Sequence, residues 1–320
     1  MSDDEQGHPI RIGVSSCLLG QNVRYDGGHK KDDFLTGLLG RYVEFVPVCP
    51  EVEVGMSIPR PTIRLERRGE AIHLVDPKNG IDHTEAMQRW AERKVAEIGK
   101  LDLCGYVLKK DSPSCGMERV RVYAKGAPTK TGRGIFAAEL LDRLPLLPVE
   151  EEGRLHDPEL RENFVERVFA YRRLKDLFRG RWTLGSLVAF HTAEKLLLLA
   201  HDPDGYRKLG PIVARAKEMP RDELAARYGD LFMRALAKPA TLGKQANVMQ
   251  HMAGYFKDTL PDDEKAELQD AIQDYRRRLV PLVVPLTLIR HHVRKLGVAY
   301  LEGQTHLAPH PKELMLRNHV

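Results

Sequence analysis

The stretches IRIGVSSC (10–17), VEFVPVC (43–49) and GYVLKKDSPSC (105–115) decide the fold, because each is a short apolar run ending at or near a cysteine in a loop. Brief Val- and Ile-rich runs bounded by loop residues read as strands covered on both faces. If these strands are parallel neighbours, Cys17, Cys49 and Cys115 meet at the carboxyl edge of one sheet, where open α/β folds bind ligands. Three converging thiolates can hold a metal centre and leave one coordination position unfilled, which points to catalysis more than to structural support. The plainer alternative is that each cysteine is a small buried hydrophobe. That alternative is preferred for Cys104, which falls at the start of its strand, away from the ligand edge.

Outward from these runs, strands are expected at 10–16, 43–48, 104–109 and 145–149, with a hairpin arm at 119–124. Helices are expected at 32–41, at 83–99 with Thr84 as N-cap, and at 134–143. This alternation predicts an α/β domain with a mainly parallel, Rossmann-like sheet over residues 1–150. Beyond it the apolar residues recur at helical spacing, as in ENFVERVFAYRRLKDLF (162–178). An all-α helical domain is therefore expected over 151–320, with helices at 158–179, 183–200, 204–217, 221–237, 241–258, 262–279 and 286–296. Pro203, Pro220, Pro239, Pro261 and Pro281 fall near the breaks between them.

Four cysteines in 320 residues do not make a disulfide framework. No apolar stretch approaches the roughly eighteen residues of a membrane span, and the opening MSDDEQGHPIR is acidic and polar, unlike a signal peptide. No membrane association, a cytoplasmic location and a monomeric state are expected. Charge is uneven: residues 1–150 carry 22 Lys and Arg against 22 Asp and Glu, whereas 151–320 carry 28 against 23 and nine of the thirteen His. That bias suits a polyanion partner, or equally a solvated helical surface.

Three segments surround the cysteines. SSCLLGQNVRYDGGHK (15–30) has glycines for a tight loop; CPEVEVGMSIPRPTIRL (49–65) sets Glu51 two positions after a thiol and supplies Arg60 and Arg64; LKKDSPSCG (108–116) gathers Lys109, Ser112 and Ser114 about Cys115. Together these strings resemble the signature of the thiouracil desulfidase (TudS) family. FHTAEKLLLLAHDPDGYRKLG (190–210), ANVMQHMAGYFK (246–257), YRRRLVPLVVPLTLIRHHV (275–293) and YLEGQTHLAPHPKELMLRN (300–318) are similar to the YbgA-type helical domain. The two-domain pairing resembles tRNA 4-thiouridine desulfidases.

The resemblance implies a 4Fe–4S cluster held by three cysteines, Cys17, Cys49 and Cys115, whose fourth iron takes the substrate sulfur. It implies catalytic roles in proton transfer for Glu51 and Ser112, and for Lys109 as a substrate contact or a partner of Glu51. Ser114, Asp26 and Arg24 are read as loop-fixing groups, Tyr25 as support for an exposed base, and Arg60 as a recognition group or a partner of Glu51. Family members carry a cysteine where this chain has Val23, so position 23 is not a required ligand. A closed cluster with Cys104 as fourth ligand, and a structural zinc, are the competing schemes; strand direction disfavours the first, and the lack of a CxxC pair the second. The partner implied is tRNA containing 4-thiouridine, met by Arg276, Arg277, Arg278, Arg290, Arg294 and Lys295, with Lys244, Asn247, His251 and Lys257 on another face. Free thiouracil as substrate, sulfur insertion into RNA, and a non-catalytic RNA-binding iron or redox sensor remain the alternatives.

Overall fold

The computed structural model describes residues 9–124 and 127–320; the acidic opening stretch, residues 1–8, lies outside them. The chain divides between Asp157 and Pro158 into two compact units. In the first, strands β1 (Arg11–Ser15), β2 (Glu44–Val48), β3 (Arg64–Arg68), β4 (Ala71–Val75), β5 (Leu103–Leu108), β6 (Val120–Tyr123), β7 (Thr129–Gly132) and β8 (Val149–Glu151) form two sheets. The main sheet is parallel throughout in the order β2-β1-β5-β8. Because the chain leaves β1 toward β2 and then returns across it to β5, the strand order reverses between β1 and β5. That reversal is the switch point at which such sheets open a crevice.

The helices of this unit are α1 (Pro50–Glu53), α2 (Thr84–Ile98) and α3 (Ile135–Arg143). α2 and α3 pack against each other. Their shared core is aromatic: Phe136 lies 5.5 Å from Trp90 and 5.7 Å from Tyr106, ring centroid to centroid. Gly13 lets the Tyr106 ring lie across β1, since a Cβ there would fall 2.2 Å from that ring. Truncating Phe136 to Ala would cost about 3–5 kcal/mol in lost packing.

Several expectations are corrected. Residues 32–41 do not form an α-helix but a π-turn (Phe34–Leu38) followed by a 3-10 turn (Leu39–Arg41), fixed at the start by Asp32, whose carboxylate accepts from Leu35 N. The strand expected at 145–149 begins only at its last residue and runs Val149–Glu151. Thr84 is the first helical residue, not the cap; its backbone N–H donates to Asp82 Oδ1 and its hydroxyl accepts from Leu74 N. The second sheet, β4-β3-β6-β7, contains a hairpin at 64–75 that no sequence pattern announced.

The second unit is helical: α4 (Pro158–Phe178), α5 (Leu184–Ala193), α6 (Lys195–His201), α7 (Pro203–Ala214), α8 (Arg221–Leu236), α9 (Leu242–Ala253), α10 (Asp262–Arg276), α11 (Val283–Leu296) and α12 (Ala299–Glu302). The helix expected at 183–200 is broken at Glu194, whose buried carboxylate accepts from Arg173 and Thr305. α9 stops at Ala253, so Lys257 lies beyond it. A core including Leu196, Met249, Phe256, Ile272 and Ile289 joins α6, α9, α10 and α11. No helix among the described residues is long and apolar enough to cross a membrane.

Candidate active site

The ends of β1, β2 and β5 open onto one cavity of about 410 Å³ lined by Cys17, Cys49 and Cys115. Each thiol is held by local structure. Cys17 opens the turn after β1, and its carbonyl accepts from the N–H groups of Gly20 and Lys30. Gly20 takes φ 88°, a left-handed conformation that a side chain disfavours. Cys49 caps α1 directly after β2. The Cys115 loop is bound at its Pro113 and Ser114 carbonyls by the N–H groups of Ile135 and Ala137 at the start of α3. A Cβ on Gly134 would fall 2.4 Å from Ser114, so this docking needs glycine there.

Glu51, Ser112, Lys109, Arg24, Tyr25 and Arg60 line the same cavity. The Ser112 hydroxyl accepts from the backbone N–H groups of Ser114 (3.2 Å) and Cys115 (3.0 Å), fixing the loop, and donates to Glu51 at 3.5 Å. The Cys49 thiol lies 3.6 Å from Glu51 Oε2. Arg60 stands 4.0 Å from Glu51 and donates to the Val23 carbonyl at 3.0 Å, tying the first loop to the second. Asp26 accepts from Gly28 N and pairs with Arg24 at 3.5 Å, while the Arg24 guanidinium lies over the Tyr25 ring. Tyr25 is 42% exposed, at the cavity mouth. Ser114 supports the loop through its backbone; its buried hydroxyl has no partner among the described residues.

Lys109 does not pair with Glu51. Its ammonium is bound by Glu152, and its backbone N–H donates to Ser15 Oγ at 3.0 Å across β1 and β5. Sequence reasoning passed over the acidic run Glu150–Glu151–Glu152, all buried. Glu152 also accepts from Lys110 N, and Glu151 from Met117 N, so this run latches the Cys115 loop on both sides. Three consecutive acids ending an apolar run at a sheet edge were the available signal. Cys104 is buried near the start of β5 and does not line the cavity.

Burial pushes the Cys17 thiol up to about 11 and the Cys49 thiol up to about 12, with Glu51 adding to both. Burial raises Cys115 well above its ordinary range. None of the cysteines is in a disulfide. Among the described residues no three His, Cys, Asp or Glu groups converge on a single metal ion. The three thiols share one cavity, and thiolates are the soft donors that iron–sulfur centres use.

The helical unit divides the cations expected to meet RNA. Lys244 donates to the His201 carbonyl, Arg290 to the Leu307 carbonyl, and Lys295 to Glu264. Arg278 pairs with Glu159 at 3.6 Å and Lys257 approaches Asp258 at 4.0 Å. Arg276, Arg277 and Arg294 are exposed. His191 is half-buried, stacks on Tyr206 and bonds the Tyr228 hydroxyl.

The family described as 2-thiouracil desulfurase matches residues 12–152, and a protein family of unknown function (DUF1722) matches residues 195–311. The uncharacterised protein YbgA of Escherichia coli (strain K12) is 34% identical over 153 residues, which are 48% of this chain and 90% of that protein. The uncharacterised protein YbbK of Bacillus subtilis (strain 168) is 32% identical over 132 residues, 40% of this chain and 87% of that protein. Among solved structures, the [4Fe-4S]-dependent thiouracil desulfidase TudS is 36% identical, spans 49% of this chain and 98% of its own, and has a TM-score of 0.39. The chain belongs to the 2-thiouracil desulfurase family through its first unit, with a YbgA-type domain in its helical second.

Proposed function

We propose that the first unit is a 4Fe–4S desulfidase that replaces the sulfur of a thiolated pyrimidine by oxygen, with 4-thiouridine in tRNA as substrate. The observation that carries this reading is that three thiols from three strands share one cavity with Glu51 and Ser112. The family description supports it.

Cys17, Cys49 and Cys115 would hold the cluster. When bound, it supplies an iron without a protein ligand, a soft Lewis acid matched to thiocarbonyl sulfur. The balance is hydrolytic: C=S and water give C=O and hydrogen sulfide, with no net electron transfer. Glu51, next to the thiols, takes the proton of the attacking water and returns it to the departing sulfur or ring nitrogen. The Ser112 hydroxyl, held by two backbone N–H groups, orients that carboxylate, and Arg60 fixes it from the other side. Lys109, anchored by Glu152, keeps a cation at the cavity wall beside Cys17. Tyr25 offers a ring for a base drawn out of its stack.

A second reading, desulfuration of the free base, is favoured by the 2-thiouracil description and by a cavity large enough for a lone pyrimidine. Anaerobic protein with a reconstituted cluster, given 4-thiouridine tRNA and free 2-thiouracil in parallel, separates the two by sulfide release. Turnover of tRNA is expected. Turnover of the base alone would replace the first reading by the second, and sulfide from neither would remove both.

A further inference from the structure

Two cavities of the helical unit differ in the charge of their lining. One, of about 380 Å³, is walled by Glu159, Glu162 and Glu166 together with His201 and Gln245. The other, of about 460 Å³, is walled by Arg290 and Arg294 of α11 and by the segment 308–318, which brings His310, Lys312 and Arg317. No Asp or Glu lines this second cavity.

Arg317 is neutralised from within: it pairs with Glu162 and Glu166 and donates to the His306 carbonyl. Arg290, Arg294 and Lys312 have no such carboxylate among the described residues. Arg290 and Arg294 stand one helical turn apart on α11, so their side chains share a face. Arg290 is anchored by its bond to the Leu307 carbonyl, yet its Nε is buried without an acceptor, and so is His310 Nε2. Burial, and after it the neighbouring Arg317 and Arg294, hold the Arg290 guanidinium below its ordinary range. A fixed guanidinium with an unused N–H, flanked by a second guanidinium and an ammonium, matches the several oxygens and full charge of a phosphate.

We infer that the cavity between α11 and residues 308–318 is an anion site that takes a phosphate group of an RNA backbone. It rests on the RNA reading above only for the source of that phosphate. The test uses the full chain and unthiolated tRNA, read by fluorescence anisotropy over a range of salt, so that no turnover is needed. The double variant Arg294→Ala/Lys312→Ala should lose about tenfold or more in affinity, with a shallower salt dependence. Arg276→Ala/Arg277→Ala, which removes two exposed cations outside the cavity, should lose about twofold at most. Equal losses in the two variants, or none in either, would overturn the site. Inorganic pyrophosphate should raise the thermal midpoint of the wild type but not of the cavity variant, and should displace the RNA. Pyrophosphate binding without any RNA binding would replace the RNA backbone by a free phosphate ligand and overturn the source. A protein that binds RNA here but releases no sulfide would break the desulfidase reading and leave this site standing.

Discussion

Around Glu51 the contacts are long: 3.5 Å to Ser112, 3.6 Å to Cys49 and 4.0 Å to Arg60. Around Glu166 in the helical unit they are short: 2.6 Å to Arg317 and 3.0 Å to His201, with Glu162 3.1 Å from the same arginine. Both carboxylates are buried, at 9% and 2% exposure. The second set is saturated, its lone pairs and N–H groups committed to one another, so its free energy goes into holding α4 to the C-terminal segment. The first keeps acceptor capacity that no protein donor among the described residues fills at close range, in a cavity it shares with three thiols. Desolvated but under-matched groups are costly to the fold and available to a reactant.

Substitutions should separate the two regions by what they damage. Replacing Cys115 by Ser should take sulfide release to background in reconstituted protein while leaving the thermal midpoint of the metal-free chain within a few degrees; retention of a sizeable fraction of the activity would break the comparison on the open side. Glu51→Gln, close in shape, should lower turnover by about 10²–10⁴ with cluster absorbance and urea midpoint preserved. In the closed region the outcome inverts. Arg317→Leu leaves Glu162 and Glu166 without their cation and should cost about 3–5 kcal/mol, read as a fall in the urea midpoint; a loss below ~1 kcal/mol would show that this set is not closed.

The same closed set gives a pH dependence. Burial and the neighbouring Glu166, against the pull of Arg317, push the Glu162 carboxyl up to about 8. Despite burial, Arg317 and His201 hold Glu166 well below the usual carboxylate range. The unfolded Glu162 ionises near its ordinary value, about 4.3. Between that value and about 8 the unfolded chain has released a proton that the folded chain keeps, so rising pH favours unfolding. Glu162→Gln has no such proton. Its stability relative to wild type should therefore improve steadily from pH 5 to pH 8, in denaturation series at both ends of the window. A constant difference would contradict the linkage.

The parallel core was legible because strands covered on both faces must be apolar: Ile12, Val14, Val48, Val107 and Leu108 are essentially inaccessible and read directly as runs. The cysteine loops followed from the strand ends. The hairpin of β3 and β4 was not legible, since RLERR (64–68) is charged, with Arg64 and Arg68 both pairing with Glu66, and its one apolar residue, the buried Leu65, makes no run. β8 hid for the opposite reason: its acids and the adjoining Glu152 look like surface residues until their donors are seen, Arg154 four positions on, and Met117 N and Lys109 from distant chain positions. Arg290 looked like a surface cation for a similar reason, because its carbonyl partner Leu307 lies 17 residues downstream.

The acidic end of β8 also bears on where the first unit can be cut. A fragment stopped at residue 150 keeps every cysteine and Glu51 and Ser112, yet removes both carboxylates that latch the Cys115 loop and hold Lys109. Such a piece would carry all the reactive groups on a loosened frame. An excised, competent first unit has to run through Glu152 and on to the natural division at Asp157, so the last residues of the unit to leave the ribosome are the ones that lock its chemistry in place.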